Sequence, residues 1–315
     1  MNMNRVTPIA PVGSARLRRR PPDQKGIHDI RSLPDPEFDG VWDSIILPPG
    51  IKDRLLAQAV LNFTARARLQ QVHLPVHGII LLVGPPGTGK TSVARGLASR
   101  TAASLTTALT YIEVDPHALA SAAHGKTQQA VSHLLGTVLA EESSANPCIV
   151  LLDEVETLAA DRSKMSMDAN PVDVHRATDA VLTQLDQLAA DYPQLLFIAT
   201  SNFAGAIDEA FLSRADLVVT IDFPTPAACK AILLDTIERL AQAYPKLAQL
   251  RLTPQIEKAA SLAVGLDARR IRKAVLSALA QTKQIASNPE TLTADAVLAA
   301  MQLAQAERTN MEKRR

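Results

Sequence analysis

The eight residues Gly84-Pro85-Pro86-Gly87-Thr88-Gly89-Lys90-Thr91 constrain this chain more than any other feature. They follow the apolar run Ile79–Val83 and lead, through Ser92, into a helical stretch over residues 92–98. A G-x-x-x-x-G-K-[ST] loop between a buried strand and a helix is the phosphate-binding (Walker A) pattern. Its glycines let backbone N–H groups turn inward on phosphate oxygens, and the helix N-terminus adds partial positive charge. In this pattern the Lys90 ammonium reaches the β and γ phosphates, and the Thr91 hydroxyl ligates Mg²⁺.

The rest of the chain fits a sheet built around that loop. Residues 79–83, 111–114, 149–152, 195–199 and 217–221 are short apolar runs bounded by turn residues. Such runs suit strands covered on both faces. Helical stripes separate them, such as Val131, Leu134, Leu135, Val138 and Leu139, then Val181, Leu182, Leu185 and Leu188. Alternating strands and helices predict an α/β fold, a five-stranded parallel sheet flanked by helices. After residue 226 only helical stripes remain, which predicts a small all-α domain over residues 227–315.

Charge supports that division. Residues 41–226 hold twelve basic and nineteen acidic residues, and residues 227–315 hold fourteen and eight. Pro224 and Pro226 mark the step between them. Residues 1–40 are rich in proline, carry the basic run Arg16, Arg18, Arg19 and Arg20, and read as a flexible tail. The overall charge of +1 excludes a basic nucleic-acid coat, and an aromatic content of 3% argues against base-stacking platforms. Two cysteines, Cys148 and Cys229, cannot form a disulfide framework. The absence of a long apolar run or a leader pattern points to a cytoplasmic chain without a membrane partner.

Further candidates cluster at strand ends. The run 148–152 ends in Asp153 and Glu154. There Asp153 is placed to hold Mg²⁺ and Glu154 to polarise an attacking water. The run from Leu195 ends in Thr200-Ser201-Asn202, where Asn202 either senses the γ-phosphate or is a turn residue. Arg214, just before the last strand, either stabilises a neighbouring subunit's transferring phosphoryl group or pairs with Asp216. In the helical domain Arg269 and its competitor Arg272 are candidates to read nucleotide state.

Together these residues resemble the AAA+ ATPases. More narrowly, residues 176–187, Thr200-Ser201-Asn202, Ile207-Asp208, Ala210-Phe211, Arg214-Ala215-Asp216, Trp42-Asp43-Ser44-Ile45 and Gly265-Leu266 before Arg269 look like the pachytene-checkpoint ATPases that remodel HORMA-domain proteins. The resemblance covers roughly residues 41–310 and implies an ATP- and Mg²⁺-dependent homo-hexameric ring. Its nucleotide cleft would lie between large (41–226) and small (227–315) domains, with Ile45 and Ile46 near the adenine. It also implies pore loops that grip substrate, the first at Ala122, Ala123 and His124, the second near residues 161–173. The short segment before the ATPase core resembles the bacterial members, which act beside HORMA proteins and nucleotidyltransferases in anti-phage (CBASS-type) signalling. Alanines at the first pore loop offer little apolar area, so limited remodelling is expected rather than processive unfolding. The rival of the same fold is a nucleic-acid motor or clamp-loader-like ATPase. It would predict a DNA-binding appendage after the helical domain, where the sequence ends in Glu312-Lys313-Arg314-Arg315.

Overall fold

The computed structural model describes residues 26–68, 76–115, 133–157, 171–203, 205 and 207–312. The chain divides into two compact units. One comprises the described residues up to Trp42, with Gly50–Val83 and Thr91–Thr220; the other comprises Asp43–Pro49, Gly84–Lys90 and the residues from Ile221 onward.

The first unit is built on a six-stranded sheet: β1 (Ile27–Leu33), β2 (Ile79–Val83), β3 (Leu109–Val114), β4 (Cys148–Leu152), β5 (Leu195–Ser201) and β6 (Leu217–Thr220), in the order β1-β3-β4-β5-β2-β6. Strands β2 to β6 run parallel, and β1 pairs antiparallel with β3. All residues of β2, β4 and β5 are buried, as strands with neighbours on both sides and cover on both faces must be. At the edge, β6 alternates between buried Leu217 and Val219 and exposed Val218 and Thr220. One apolar cluster joins Leu81, Ile112, Val150, Phe197 and Phe211 to Val181, Leu185 and Leu188 of the helix at Pro171–Asp191.

Two expectations are corrected. The sheet has six strands, not five, and its extra strand is antiparallel. That strand lies within residues 1–40, the segment expected to be a flexible tail. Residues 27–44 instead form β1 and then α1 (Pro36–Ser44). Prolines do not interrupt these elements. Pro34 follows the strand, and Pro36 opens the helix, where its missing N–H costs nothing. Asp35 caps that helix by accepting the Glu37 N–H at 2.8 Å. Charge on the strand is neutralised locally, since Arg31 bonds Asp29 at 2.6 Å, Asp35 at 3.2 Å and Glu37 at 2.6 Å.

Helix α2 (Ile51–Ala65) leads into a short 3₁₀ turn that carries Arg66, 2% exposed. Its guanidinium donates to the carbonyls of Ala189 at 2.7 Å, Leu195 at 2.6 Å and Val76 at 3.1 Å. Burial pulls its pKa down to about 10, and the charge of Asp216 acts the other way. This arginine ties α2 to the base of β5 and to the segment entering β2.

The second unit is helical, in agreement with the stripes. Helix α7 (Pro226–Ala243), α8 (Pro254–Leu262), α9 (Ala268–Ala278) and α11 (Ala294–Glu312) enclose Leu233, Ile237, Ile271, Val275, Val297 and Met301. The remaining labels in chain order are α3 (Lys90–Leu105), α4 (Ala140–Ala145), α5 (Pro171–Asp191), α6 (Glu209–Leu212) and α10 (Lys283–Ser287). The proline pair expected to stop structure at 224–226 also starts it: Pro226 opens α7, whose cap Thr225 accepts the Ala228 N–H at 3.2 Å. The chain changes units after Thr220, slightly before the proline pair.

Candidate active site

The phosphate loop leaves β2 and runs into α3. Its backbone explains its glycines, all three of which have positive φ, Gly89 at +97°. Gly84 has φ +156°, and a Cβ there would lie 2.1 Å from the Ile221 carbonyl oxygen. Gly87 has φ +85°, and a Cβ there would lie 2.6 Å from Asp267 Cγ. Only a residue without a side chain allows these approaches. At Gly89 an added Cβ meets nothing within 4 Å, so this side of the loop is open. Lys90 is buried, and its Nζ donates to the Gly84 carbonyl at 2.8 Å and to that of Pro85 at 2.9 Å. Thr88 Oγ1 donates to the same Pro85 carbonyl at 2.9 Å. Pro86 is exposed, and Ser92 is half-buried in the first turn of α3.

A second group forms where parallel strands β4 and β5 end together. Thr91 Oγ1 lies 2.9 and 3.1 Å from the two carboxylate oxygens of Asp153 and donates its proton there. Thr200, near the end of β5, donates its own hydroxyl to Asp153 Oδ1. The Thr200 oxygen also accepts the Glu154 N–H at 3.0 Å. Glu154 itself has φ +54°, a left-handed conformation uncommon outside glycine, at the sharp turn after β4. The Asn202 side-chain amide donates to Glu154 Oε1 at 3.0 Å, and its backbone N–H donates to Glu156 Oε1 at 3.1 Å. The strand ends are therefore joined by side chains beyond the ladder itself.

Arg214 lies at the opposite end of the strands. It precedes β6, and the Asp216 N–H meets the carbonyl of Ile79, the first residue of β2. Asp153 and Glu154 follow the last residue of β4. A strand of β4's length separates the two ends by about 16 Å. Arg214 pairs with Asp186, not Asp216: Nε lies 2.7 Å from Oδ1 and Nη2 lies 2.8 Å from Oδ2. Its pKa is raised, first by these hydrogen bonds, against some loss from burial. Asp216 instead accepts the backbone N–H groups of His77 at 3.0 Å, Gly78 at 2.6 Å and Ile79 at 3.0 Å.

The other candidates divide. Ile46 packs against the core of the helical unit, and Ile45 is half-buried. Arg272 bonds the Ser44 carbonyl at 2.9 Å and Asp235 at 3.2 Å, which ties the 43–49 segment to α9 and α7. Arg269 is exposed in the first turn of α9. The pore-loop candidates Ala122, Ala123 and His124, and most of residues 161–173, lie outside the described residues. Sequence reading missed Thr200, Glu156 and Asp186. Thr200 was within reach: it is the first polar residue after the apolar run from Leu195, two residues before Asn202.

A glycine-rich phosphate loop and strand-end carboxylates on a mostly parallel sheet, together with a separate helical unit, define the class: a P-loop ATPase of the AAA+ type. Residues 80–223 match the family described as "ATPase family associated with various cellular activities (AAA)". The chain is 53% identical to CD-NTase-associated protein 6 of Pseudomonas aeruginosa over 281 residues, 89% of this chain and 92% of that protein. It is 33% identical to a pachytene checkpoint protein 2 homologue of Oryza sativa over 86% of this chain, but spans 64% of that longer protein. Among solved structures, C. elegans PCH-2 superposes with a TM-score of 0.71 at 26% identity, over 91% of this chain and 77% of that one. A chain of the E. coli MS115-1 HORMA:CdnC:Trip13 complex shares the fold, with a TM-score of 0.68 at 18% identity over 88% of this chain and 95% of that one. The chain belongs to the pachytene-checkpoint family of AAA+ ATPases, in its bacterial form, and it is a nucleotide-binding ATPase.

Proposed function

We propose that this chain is an ATP-driven remodeller that engages a HORMA-domain protein and switches its conformation or disassembles its complex, in bacterial anti-phage (CBASS-type) signalling. The observation that carries this reading is the 53% identity across nearly the whole of a relative whose name associates it with a CD-NTase. The solved HORMA:CdnC:Trip13 complex keeps the same company, a HORMA protein together with a nucleotidyltransferase, and its likeness to this chain is one of fold. No helix among the described residues is long and apolar enough to cross a membrane, which suits the cytoplasmic setting we propose.

The residues fit ATP and Mg²⁺. A threonine hydroxyl against a carboxylate, Thr91 on Asp153, is an all-oxygen donor set of the kind hard divalent cations choose. When bound, Mg²⁺ neutralises charge on the β and γ phosphates. The loop amides of residues 84–91 hold phosphate oxygens, and Lys90 turns its ammonium from the loop carbonyls to the phosphates. Glu154 Oε2 takes the proton of the attacking water, while Asn202 fixes the carboxylate through Oε1. Arg214 acts in trans; its position one strand length, about 16 Å, from Asp153 and Glu154 of its own chain supports that reading. To do so it exchanges Asp186 for a neighbour's phosphate. That role needs a neighbouring copy of this chain, and the family likeness makes the proposed assembly a homo-hexamer. Ile45, Ile46 and Arg269 line the nucleotide cleft, and Arg272 braces it.

The test is a trap. Glu154→Gln is expressed in the native host and purified with ATP, and bound proteins are identified by mass spectrometry. A HORMA-domain protein retained with ATP and lost without it is the expected result. Replication or repair proteins, or nucleic acid released by salt, would overturn the reading in favour of a nucleic-acid motor.

A further inference from the structure

Asn202 is gripped twice, by two glutamates two residues apart. Glu154 takes its side-chain amide at 3.0 Å, and Glu156 takes its backbone N–H at 3.1 Å. The local backbone makes this possible. The left-handed Glu154, φ +54°, reverses the chain into the 3₁₀ turn Val155–Thr157, closed by the Thr157 N–H on the Glu154 carbonyl at 3.0 Å. Fully buried Val155 anchors that turn. Glu156 is thereby directed from the turn after β4 onto the residue that follows β5.

Packing does not explain a carboxylate at position 156. Its Oε2 is buried and has no hydrogen-bond partner among the described residues. A buried polar atom left unpaired is costly, and in a native fold it calls for a reason. The bond from Oε1 to the Asn202 N–H supplies one.

We propose that Glu156 is a positioning residue for ATP hydrolysis: by fixing the Asn202 peptide it sets the direction from which the Asn202 amide holds the Glu154 carboxylate. Asn202 follows the last residue of its strand, beyond the β4–β5 ladder that fixes the residues before it. The tether extends strand-like precision by one residue, to the group that orients the base. Glu156 acts on the Asn202 peptide, so nucleotide affinity is expected to be independent of it. This inference rests on the assignment of Glu154 as base and Asn202 as its holder.

The experiment is a double-mutant cycle on the full chain, reading kcat and KM for ATP and the thermal midpoint. Glu156→Ala lowers kcat about tenfold, the lower end of what removing an outer hydrogen-bond support costs, with KM unchanged. Glu156→Gln keeps an oxygen acceptor and restores kcat to within about twofold of wild type. In an Asn202→Ala background, Glu156→Ala adds no further loss, because the group it acts through is gone. Equal losses in both backgrounds, failure of glutamine to rescue, or a rise in KM matching the fall in kcat would overturn the proposal. Glu154→Gln in the same assay separates the two levels: wild-type turnover by that variant refutes the base assignment itself.

Discussion

Replacing Thr200 with valine removes one hydroxyl and leaves the shape of the side chain almost unchanged, so its effect isolates two hydrogen bonds. The hydroxyl donates to Asp153 Oδ1 and accepts the Glu154 N–H at 3.0 Å. A bond to a charged carboxylate contributes about 1.5–3 kcal/mol and a neutral backbone bond about 0.5–1.5 kcal/mol. The local hold lost is therefore about 2–4 kcal/mol. Glu154 sits in a left-handed conformation that a non-glycine residue adopts at a cost of about 1–2 kcal/mol, so release of its N–H lets that turn relax. With about half of the lost hold expressed in the transition state, kcat falls about 5- to 30-fold. Phosphate release at saturating ATP and Mg²⁺ reads this directly, alongside thermal unfolding. Thr200→Ser keeps the hydroxyl and retains turnover. Wild-type kcat and an unchanged thermal midpoint in Thr200→Val would refute the claim that these bonds hold the two carboxylates in place.

Three further outcomes follow from the packing. Gly96→Ala puts a methyl 2.7 Å from Trp42 Cβ, so it destabilises by about 1 kcal/mol despite alanine's helix preference, and Gly96→Val by more; calorimetry checks both. Arg66→Met strands three carbonyls now bonded at 2.6–3.1 Å and lowers stability by about 2–4 kcal/mol, read by denaturant midpoint, and an unchanged midpoint contradicts it. Tyr111 is held neutral by burial and by Glu113 beside it, which push its phenol well above 10. Above pH 10 the unfolded chain ionises this group while the folded chain does not, so stability falls as pH rises past 10. Tyr111→Phe makes that alkaline loss shallower, though it forgoes the 2.7 Å bond to Glu113 at every pH.

The parts of the fold that sequence made plain are those where one physical signal is uncontested. Cys148–Leu152 and Leu195–Ser201 are apolar without interruption because both faces of each strand are covered. The phosphate loop is legible because backbone geometry forces glycine at Gly84 and Gly87. The antiparallel edge strand was hidden by its own charge. Asp29 and Arg31 neutralise each other at 2.6 Å, a pairing that composition cannot distinguish from a solvated tail. At the site, the strand-end positions of Asp153, Glu154 and Asn202 were readable from the runs before them. The partners Glu156 and Asp186 were not, because they come together through the pairing of β4 with β5 and the approach of α5 to Arg214, contacts remote in sequence.

The most direct test of the account is nucleotide binding and single-turnover hydrolysis by Glu154→Gln, measured on the same preparation. The glutamine keeps an acceptor for the Asn202 amide and leaves the phosphate loop, Thr91 and Asp153 as they are. The account predicts ATP affinity equal to wild type and hydrolysis slowed by about 100-fold or more, at the low end of what general-base catalysis supplies. Hydrolysis at the wild-type rate would contradict it, and would move the base away from the end of β4.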